Sequence, residues 1–256
     1  MTIRVAVVGA TGKLGAVVTA LVESAPDLEL VAALGSRSPL DDMLGPADAR
    51  TDVVVDVTLP GVSENVVEFA VEHGRNVLIG TSGWSAERIA ALAKRLEDRP
   101  EVGVLVIPNF SLGSALGSAF AAAASRFYDS IEIVEAHGAG KVDSPSGTAV
   151  RTAELIATAR GERGPVAAPH TDQRARGQQV ASVPVHSLRL QGVVARQQVI
   201  LGGAGETLTI SHDTIDSSAY RAGILLALRA AADATGVTVG LDTLIDLGIS
   251  APHPTR

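Results

Sequence analysis

Short apolar runs alternate with stretches of helical spacing along the first part of the chain. Apolar runs bounded by small polar loops predict buried parallel strands. In the segments between these runs, apolar positions recur every three or four residues, which predicts helices. The predicted strands are residues 3–8, 28–34, 52–57, 76–79 and 102–107, and the predicted helices are 16–23, 62–73 and 85–96. This alternation predicts an α/β fold with a Rossmann-like, doubly wound parallel sheet.

The pattern changes after residue 110, where an alanine-rich helix at 112–127 leads into a second set of elements. Consecutive strand-like runs with intervening turns predict a second α+β domain carrying a mixed or antiparallel sheet. Its elements are a strand at 131–134, a helix at 149–159, a polar loop or arm at 160–180, and strands at 183–190, 193–201 and 207–213. We expect the helix at 218–234 to return the chain to the first domain, without a parallel strand after it. The predicted domains are therefore 1–109 with 222–256, and 110–221.

Composition narrows the classes of function. The chain has 256 residues with 46% hydrophobic and 19% charged residues, enough for a sizeable core. Its net charge of −7, without a basic run, argues against nucleic acid as a partner. The absence of cysteine excludes disulfides, cysteine-ligated metal and thiol nucleophiles, and no His or carboxylate pair has metal-ligand spacing. No apolar run approaches the ~20 residues of a membrane span, so the cytoplasm is the expected compartment.

A glycine-rich loop, Gly-x-x-Gly-x-x-Gly, follows the first predicted strand and opens the first helix. Glycines permit a tight turn and a close approach of a pyrophosphate, and the helix N-terminus favours its negative charge. The loop predicts a dinucleotide site and contributes the candidate cofactor residues Gly9, Thr11, Gly12, Lys13 and Leu14.

The end of the second strand bears on the choice of cofactor. No acidic residue stands there to bind the ribose 2′-hydroxyl of NADH, whereas Ser36 and Arg37 can receive the 2′-phosphate of NADPH. NADPH is therefore the expected cofactor, with NADH possible. Further cofactor residues are expected at the carboxyl ends of later strands, where ligands of such sheets bind. These are Thr58, Gly80, Thr81, Ser82, Pro108, Asn109 and Phe110.

The stretch 135–148 combines several chemical groups between a strand and a helix. His137 can hold or give a proton near neutral pH, and Lys141 adds a mobile positive charge. The Ser146-Gly147-Thr148 turn opens a helix whose N-terminal N–H groups suit a carboxylate or phosphate. An ordinary turn, with Ser146 or Thr148 as the N-cap of the helix, explains the Ser-Gly-Thr sequence equally well.

The same stretch resembles the signature of a known family, the dihydrodipicolinate reductases of bacterial lysine and diaminopimelate synthesis. The matching residues are Glu135, His137, Lys141, Asp143 and the run Pro-Ser-Gly-Thr-Ala at 145–149. The resemblance covers essentially the whole length and is closest to actinobacterial members. Other matching segments are 9–15, 80–84, 109–111, 176–177, 186–189 and 205–206.

The resemblance implies an oxidoreductase of amino-acid biosynthesis that reduces 4-hydroxy-tetrahydrodipicolinate to tetrahydrodipicolinate with NAD(P)H, losing water along with reduction. It implies a cyclic dicarboxylate bound at the cleft to the second domain, with His137 and Lys141 as the proposed proton donors. It also implies a homotetramer joined through the second-domain sheets. The implied substrate residues are Ser82, Gly138, Lys141, Ser146, Gly147, Thr148 and Arg196.

Two departures from the family pattern leave alternatives open. Gly138 replaces the second histidine of the signature, and Arg196 stands where the family has a histidine after Gly192. Arg196 also donates to carboxylates, so it could compensate. The alternatives are a reductase of another cyclic imine, or a paralogue that has lost catalysis and senses NADPH.

Overall fold

A computed structural model describes residues 2–47 and 49–247 of the chain. Within these residues the chain divides into two compact units. The first unit comprises residues up to 110 together with those from 221 onward, and the second comprises residues 111–220. The predicted domain segment 222–256 ends in residues 248–256, which lie outside the described residues.

The first unit begins with alternating strands and helices, as the hydrophobic pattern predicts. Its strands are short, and the side chains of the central strands are mostly buried, which is typical of a parallel sheet covered on both faces, whereas those of the two edge strands are partly exposed. In chain order the elements are β1 (Ile3–Val8), α1 (Lys13–Ser24), β2 (Leu28–Leu34), β3 (Val53–Asp56), α2 (Pro60–Glu72), β4 (Asn76–Ile79), α3 (Ala86–Leu96) and β5 (Gly103–Val106).

The second unit carries two helices against one face of a sheet. Its elements are α4 (Leu112–Ser125), β6 (Ser130–Gly138), α5 (Gly147–Arg160), β7 (Gln178–Val180), β8 (Val183–Leu190), β9 (Ala195–Gly203) and β10 (Glu206–Thr214). The segment predicted as a loop or arm therefore ends in a short strand, β7, which pairs with β8. Three residues are too few to show an alternating pattern.

The chain then returns to the first unit through α6 (Arg221–Ala232) and β11 (Gly236–Val239). The expectation that no parallel strand follows this helix is wrong, because β11 pairs in parallel with β5. A strand of four half-buried residues at the edge of a sheet lacks the long apolar run that marks the central strands.

The order of strands in the first sheet locates a ligand site. The described part of this sheet has six strands in the order β11-β5-β4-β3-β1-β2, all parallel. The order reverses at β1, whose neighbours β2 and β3 follow it on opposite sides. Ligands of open α/β sheets bind at such a reversal, beyond the carboxyl ends of the strands. The predicted Rossmann-like fold is confirmed, and the glycine loop lies at this point.

The second sheet is mixed, as predicted, with the order β10-β9-β6-β8-β7. Its central strand β6 is parallel to β8 and antiparallel to β9. We call the face that packs under α4 and α5 the inner face, and the other the outer face. Odd-numbered side chains of β6, β8 and β9 point inward, where Ile131, Ile133, Val185, Val199 and Leu201 form a buried core with Ile156.

Candidate functional site

The glycines of the loop after β1 serve different purposes. Gly9 has a φ of +91°, and a Cβ there would lie 2.5 Å from the carbonyl oxygen of Val57. A Cβ on Gly15 would lie 2.1 Å from the carbonyl oxygen of Gly9. Gly12, the N-cap of α1, has ordinary extended geometry and its Cβ would meet only the Gly9 oxygen, at 3.3 Å. Gly9 and Gly15 therefore permit the turn and the strand–helix packing, whereas Gly12 leaves open the space before the helix N-terminus.

A cavity of about 720 Å³ lies beside this loop. It is bounded by the ends of β1 and β2, the residues after β3 and β4, and the beginning of α1. These surroundings bring together most of the predicted cofactor residues from separate parts of the chain. Those that line the cavity are Gly9, Thr11, Gly12, Lys13, Leu14, Ser36, Thr58, Gly80 and Ser82. The position of the cavity at the strand-order reversal fits a dinucleotide.

The cavity also has an apolar wall that the sequence analysis missed. Leu59 and Val62, at the beginning of α2, are 69% and 46% exposed and line the cavity. Ligand pockets are mostly apolar, so two large exposed aliphatic side chains at this place suit the flat face of a base. The sequence contained a signal for this wall, because Leu59 and Val62 are apolar residues within and directly after the polar loop that follows the third strand. The other lining residues that were not predicted are Val8, Leu34, Gly35, Ser38, Leu40, Val57, Asn65 and Val66.

Several predicted cofactor residues lie outside the lining of the cavity. Thr81 is buried and supports the wall from behind, since its hydroxyl accepts a hydrogen bond from the Thr58 N–H at 2.9 Å. The Phe110 ring is buried so closely against Gly80 that a Cβ there would lie 2.7 Å from it. Arg37 is exposed beside Ser36. The predicted residues outside the lining are Arg37, Thr81, Pro108, Asn109 and Phe110.

A buried aspartate fixes the Thr58 segment of the cavity. Asp56, at the end of β3, is fully buried and accepts hydrogen bonds from the Thr58 hydroxyl at 2.5 Å and the Thr58 N–H at 3.2 Å. It also accepts one from Ser63, to which the Trp84 indole N–H donates at 2.8 Å. The carboxylate thus has partners for both oxygens, and the loop is held rigidly.

In the second unit, the end of β6 gathers charged groups around Glu135. The carboxylate side chain of Glu135 is fully buried in the interior of the unit. Its two oxygens accept hydrogen bonds from Arg189 at 2.9 and 3.0 Å, from His137 Nδ1 at 2.5 Å and from the Ser146 N–H at 3.2 Å. Burial raises the pKa of Glu135, but the bonds led by those of Arg189 outweigh it, and the pKa lies below its ordinary value. Glu135 is therefore ionised at neutral pH.

The chain turns back directly after His137. The Lys141 N–H donates to the Gly138 carbonyl at 3.0 Å, which closes a turn and places the lysine just beyond the strand end. The Lys141 ammonium pairs with the Asp143 carboxylate at 2.8 Å. Its hydrogen bond to Lys141 holds the pKa of Asp143 below its ordinary value. The two predicted proton donors thus lie at the same end of β6, each paired with a carboxylate.

The N-terminus of α5 has the N-cap geometry expected of an ordinary turn, and it also leaves room for an anion. The Ser146 hydroxyl is buried and accepts the Ala149 N–H at 3.2 Å. Gly147 is exposed, and a Cβ there would meet nothing within 4 Å. The two interpretations are therefore compatible, because the cap fixes a helix end that presents its first-turn N–H groups.

The structure separates Arg196 from the other predicted substrate residues. Arg196 is paired with Ala136 across the β6–β9 ladder, and adjacent residues of a strand point to opposite faces. Its side chain therefore lies on the outer face, 3.5 Å from Asp213, whereas His137 lies on the inner face. Arg196, predicted as a substrate residue that compensates for a family histidine, is therefore left out of the site that we propose, because its side chain lies on the other face of the sheet from His137. A side chain at Gly138 would approach the Val193 carbonyl oxygen to 3.2 Å.

Glu135 and Arg189 lie in segments that match the family, but the sequence alone indicates no role for either residue. Glu135 was visible as a charge within an apolar strand, whereas its pairing with Arg189 joins residues 54 positions apart.

Among the residues that the structure describes, no three His, Cys, Asp or Glu side chains could hold a metal ion. No helix in the described ranges is long and apolar enough to cross a membrane.

Family models match both units. A model described as "Dihydrodipicolinate reductase, N-terminus" matches residues 3–110, and one described as "Dihydrodipicolinate reductase, C-terminus" matches residues 113–245. A 4-hydroxy-tetrahydrodipicolinate reductase of Clavibacter sepedonicus is 64% identical over all of this chain and 91% of the relative. One of Streptomyces griseus is 46% identical over 96% of this chain and 98% of the relative.

Solved structures agree on the fold. A dipicolinate-bound dihydrodipicolinate reductase from Paenisporosarcina sp. TG-14 is 29% identical, with a TM-score of 0.78 over 96% of this chain and 100% of that one. GenD2 of gentamicin A biosynthesis, solved in complex with NAD, is 16% identical, with a TM-score of 0.62 over 98% of this chain and 88% of that one. The second likeness concerns the fold alone.

Proposed function

Since this chain belongs to the dihydrodipicolinate reductase family, we propose that it catalyses the NAD(P)H-dependent reduction of 4-hydroxy-tetrahydrodipicolinate in lysine and diaminopimelate synthesis. The observation that carries this proposal is the cluster at the end of β6. There, His137 and Lys141 stand beside the α5 N-terminus, so proton-carrying groups lie close to a site for a carboxylate.

The first unit binds the dinucleotide in the cavity beside the glycine loop. The N-terminus of α1, where Gly12 leaves room, would hold the pyrophosphate, and Leu59 and Val62 would contact the base. Ser36 and Arg37 receive a 2′-phosphate, so NADPH is the preferred cofactor and NADH the weaker one. Bound NAD(P)H supplies the hydride. Thr81 and Phe110 stabilise the walls of this cavity through Thr58 and Gly80, and Pro108 and Asn109 remain proposed cofactor residues.

The second unit binds the substrate. One carboxylate of the cyclic substrate takes hydrogen bonds from the Ser146-Gly147-Thr148 turn, and Lys141 faces the other carboxylate or the ring. Gly138 is the further substrate residue that we propose in this unit, through its backbone, and Ser82 remains a proposed substrate residue on the grounds of the family resemblance alone. The proton comes from His137 or Lys141, both of which are partly exposed.

The alternatives of a sensor or a different imine reductase are not favoured. Relatives that share 64% and 66% identity over nearly the whole chain carry the same reductase name. A Cβ at position 138 would lie only 3.2 Å from the Val193 carbonyl oxygen, so glycine suits the backbone there. The absence of a histidine at this position leaves the contacts of Glu135 with His137 and Arg189 intact.

We also propose a homotetramer that is joined through the outer face of the second sheet. Leu188, Leu190 and Ile200 are exposed large aliphatic side chains on this face. Exposed aliphatic side chains grouped on one sheet face are typical of subunit interfaces. The cytoplasm is the compartment we expect for the reaction. Sedimentation of the purified protein tests the assembly, and a monomer at all concentrations would contradict it.

The reaction is tested by following the absorbance of NADPH while a coupled synthase supplies the proposed substrate, 4-hydroxy-tetrahydrodipicolinate. We expect consumption of NADPH with the wild type. His137→Ala and Lys141→Ala should each lower turnover at least about a hundredfold, with NADPH affinity little changed, because a positioned general acid contributes about 10²–10⁴. Near-normal turnover in either variant would remove that residue from the proposed proton donors. No consumption by the wild type would contradict the proposed reaction.

A further inference from the structure

Strand β6 carries two carboxylates that have the same kind of partners on opposite faces of the sheet. On the outer face, Glu132 accepts hydrogen bonds from Arg176 and, at 2.7 Å, from His186. On the inner face, Glu135 accepts from Arg189 and His137. The inner trio is the more deeply placed, since Glu135 is fully buried and Glu132 is not. Only the inner trio includes a side chain for which we propose chemistry.

We propose that Glu135 and Arg189 are positioning residues, which act on the reaction through His137 and Lys141 and do not touch the substrate. Glu135 fixes the imidazole of His137. Arg189 fixes Glu135 and also the loop that carries Lys141. This inference rests on the proposed roles of His137 and Lys141, and the experiment below separates its failure from theirs.

The contact of Glu135 with His137 determines which ring nitrogen is available. An ionised carboxylate only accepts hydrogen bonds, so the Nδ1 atom of His137, 2.5 Å from Glu135 Oε2, must carry a proton. The Nε2 atom is then the one that gains or gives a proton, as in other carboxylate–histidine pairs. Residues two apart on a strand point to the same face, so the strand itself sets this contact.

Arg189 joins three parts of the second unit. Its two terminal nitrogens meet both Glu135 oxygens, and one of them also donates to the Asp143 carbonyl at 2.5 Å. Asp143 in turn holds the Lys141 ammonium. The planar fork of an arginine therefore links the strand that carries His137 to the loop that carries Lys141. A lysine could supply the charge but not these directions.

Stability alone is a weak reason to bury such a pair. Taking two charges out of water costs nearly as much as their attraction returns, and well-packed apolar side chains stabilise a core equally well. The Ser146 N–H is also bound to Glu135, so the same carboxylate orients the beginning of α5. One buried group thus sets the directions of the proposed proton donor, the proposed anion site and the lysine loop.

The test replaces Glu135 by its neutral isostere. We expect Glu135→Gln to lower kcat about ten- to a hundredfold, with KM for NADPH within about twofold of the wild type. In ¹⁵N NMR spectra, with His137→Gln used for assignment, the neutral wild-type ring should be protonated at Nδ1. In Glu135→Gln this preference should be lost. Wild-type kcat, or an unchanged tautomer, would overturn the proposal for Glu135.

A second variant and a matched control complete the test. Arg189→Lys keeps the charge, and we expect kcat to fall while the His137 tautomer is kept; wild-type kcat would overturn the role of Arg189. Asp52→Asn removes an equally bidentate pair with Arg4 in the first unit and should leave kcat unchanged. If His137→Ala keeps its turnover, the proposed role of His137 fails. If His137→Ala is inactive and Glu135→Gln is fully active, the positioning role alone fails.

Discussion

At Gly12 the proposed role in ligand binding can be separated from the requirements of the fold. Its backbone has ordinary extended geometry, and a Cβ would meet only one atom, at 3.3 Å. Gly9 and Gly15 have no such freedom, because a Cβ on either would overlap backbone atoms. A side chain at Gly12 therefore affects the ligand space before α1, whereas a side chain at its neighbours affects the fold.

We predict that Gly12→Val folds but loses NADPH binding. The branched side chain would occupy the space that the pyrophosphate needs. Fluorescence titration measures the affinity and circular dichroism the fold. Ala20→Val, on the exposed side of the same helix, is the matched control and should bind as the wild type does. Tight NADPH binding by folded Gly12→Val would count against the loop as the site.

Arg37 decides the cofactor preference if its guanidinium meets the 2′-phosphate. A charge-assisted bond of roughly 1.5–3 kcal/mol corresponds to a preference of about tenfold or more. We predict that Arg37→Ala weakens NADPH by about that factor and leaves NADH nearly unchanged. Because Arg37 is exposed, the wild-type preference should shrink as salt rises. Arg99→Ala, another exposed arginine of the first unit, is the control. Equal weakening of both cofactors would refute this role.

At the scale of elements, the beginning of α5 combines a cap with the proposed anion site. The Ser146 hydroxyl caps the helix, and the first-turn N–H groups point away from the rest of the helix. Loss of the cap should therefore affect stability and substrate binding together.

We predict that Ser146→Ala lowers the free energy of unfolding by about 1 kcal/mol and raises KM for the dicarboxylate substrate. Ser85→Ala removes the corresponding cap of α3, where the Ser85 hydroxyl accepts the Arg88 N–H at 3.4 Å. It should cost stability without a change in KM. Urea unfolding and steady-state kinetics on both variants measure these effects. If Ser146→Ala and Ser85→Ala have the same KM, the N-terminus of α5 does not bind the substrate.

The elements that the sequence predicted well are those with strong local patterns. The buried apolar strands and the glycine loop follow from periodicity and turn chemistry in short stretches. Strands β7 and β11 escaped, because an edge strand of three or four residues lacks such a pattern. The partnership of Glu135 with Arg189 escaped for another reason. It depends on the pairing of β6 with β8, which brings distant residues together.

At the scale of the whole molecule, both units contain carboxylates whose pKa values lie below their ordinary values. In the first unit, a hydrogen bond from Arg229 lowers the pKa of Asp27. In the second unit, burial opposes the shift, but hydrogen bonds from Arg176 and His186 lower the pKa of Glu132, as those led by Arg189 do for Glu135. In both units the unfolded chain therefore binds more protons than the folded chain at acid pH.

We predict that the contribution of these carboxylates to the free energy of unfolding is fully present above about pH 4.5, which is the ordinary pKa of glutamate. This contribution should be lost as the pH falls through the pKa values of the folded protein. Glu135→Gln removes one such group, so its stability should fall less steeply with decreasing pH in this range. Urea unfolding at a series of pH values measures the slope. An acid slope identical to that of the wild type would mean that Glu135 does not gain its charge stabilisation on folding.

The return of the chain to the first unit has a consequence for synthesis on the ribosome. The outer edge of β5 has no strand to pair with until β11 has been made. The Asn76 side-chain amide likewise lacks its acceptors until the carbonyls of Ala231 and Ala232 have been made. The second unit is complete in the nascent chain before either partner emerges. Units of a chain generally fold as they become complete, so the inserted unit folds first although the other begins earlier. A product that stops before α6 would expose an unpaired apolar strand edge and be prone to aggregate.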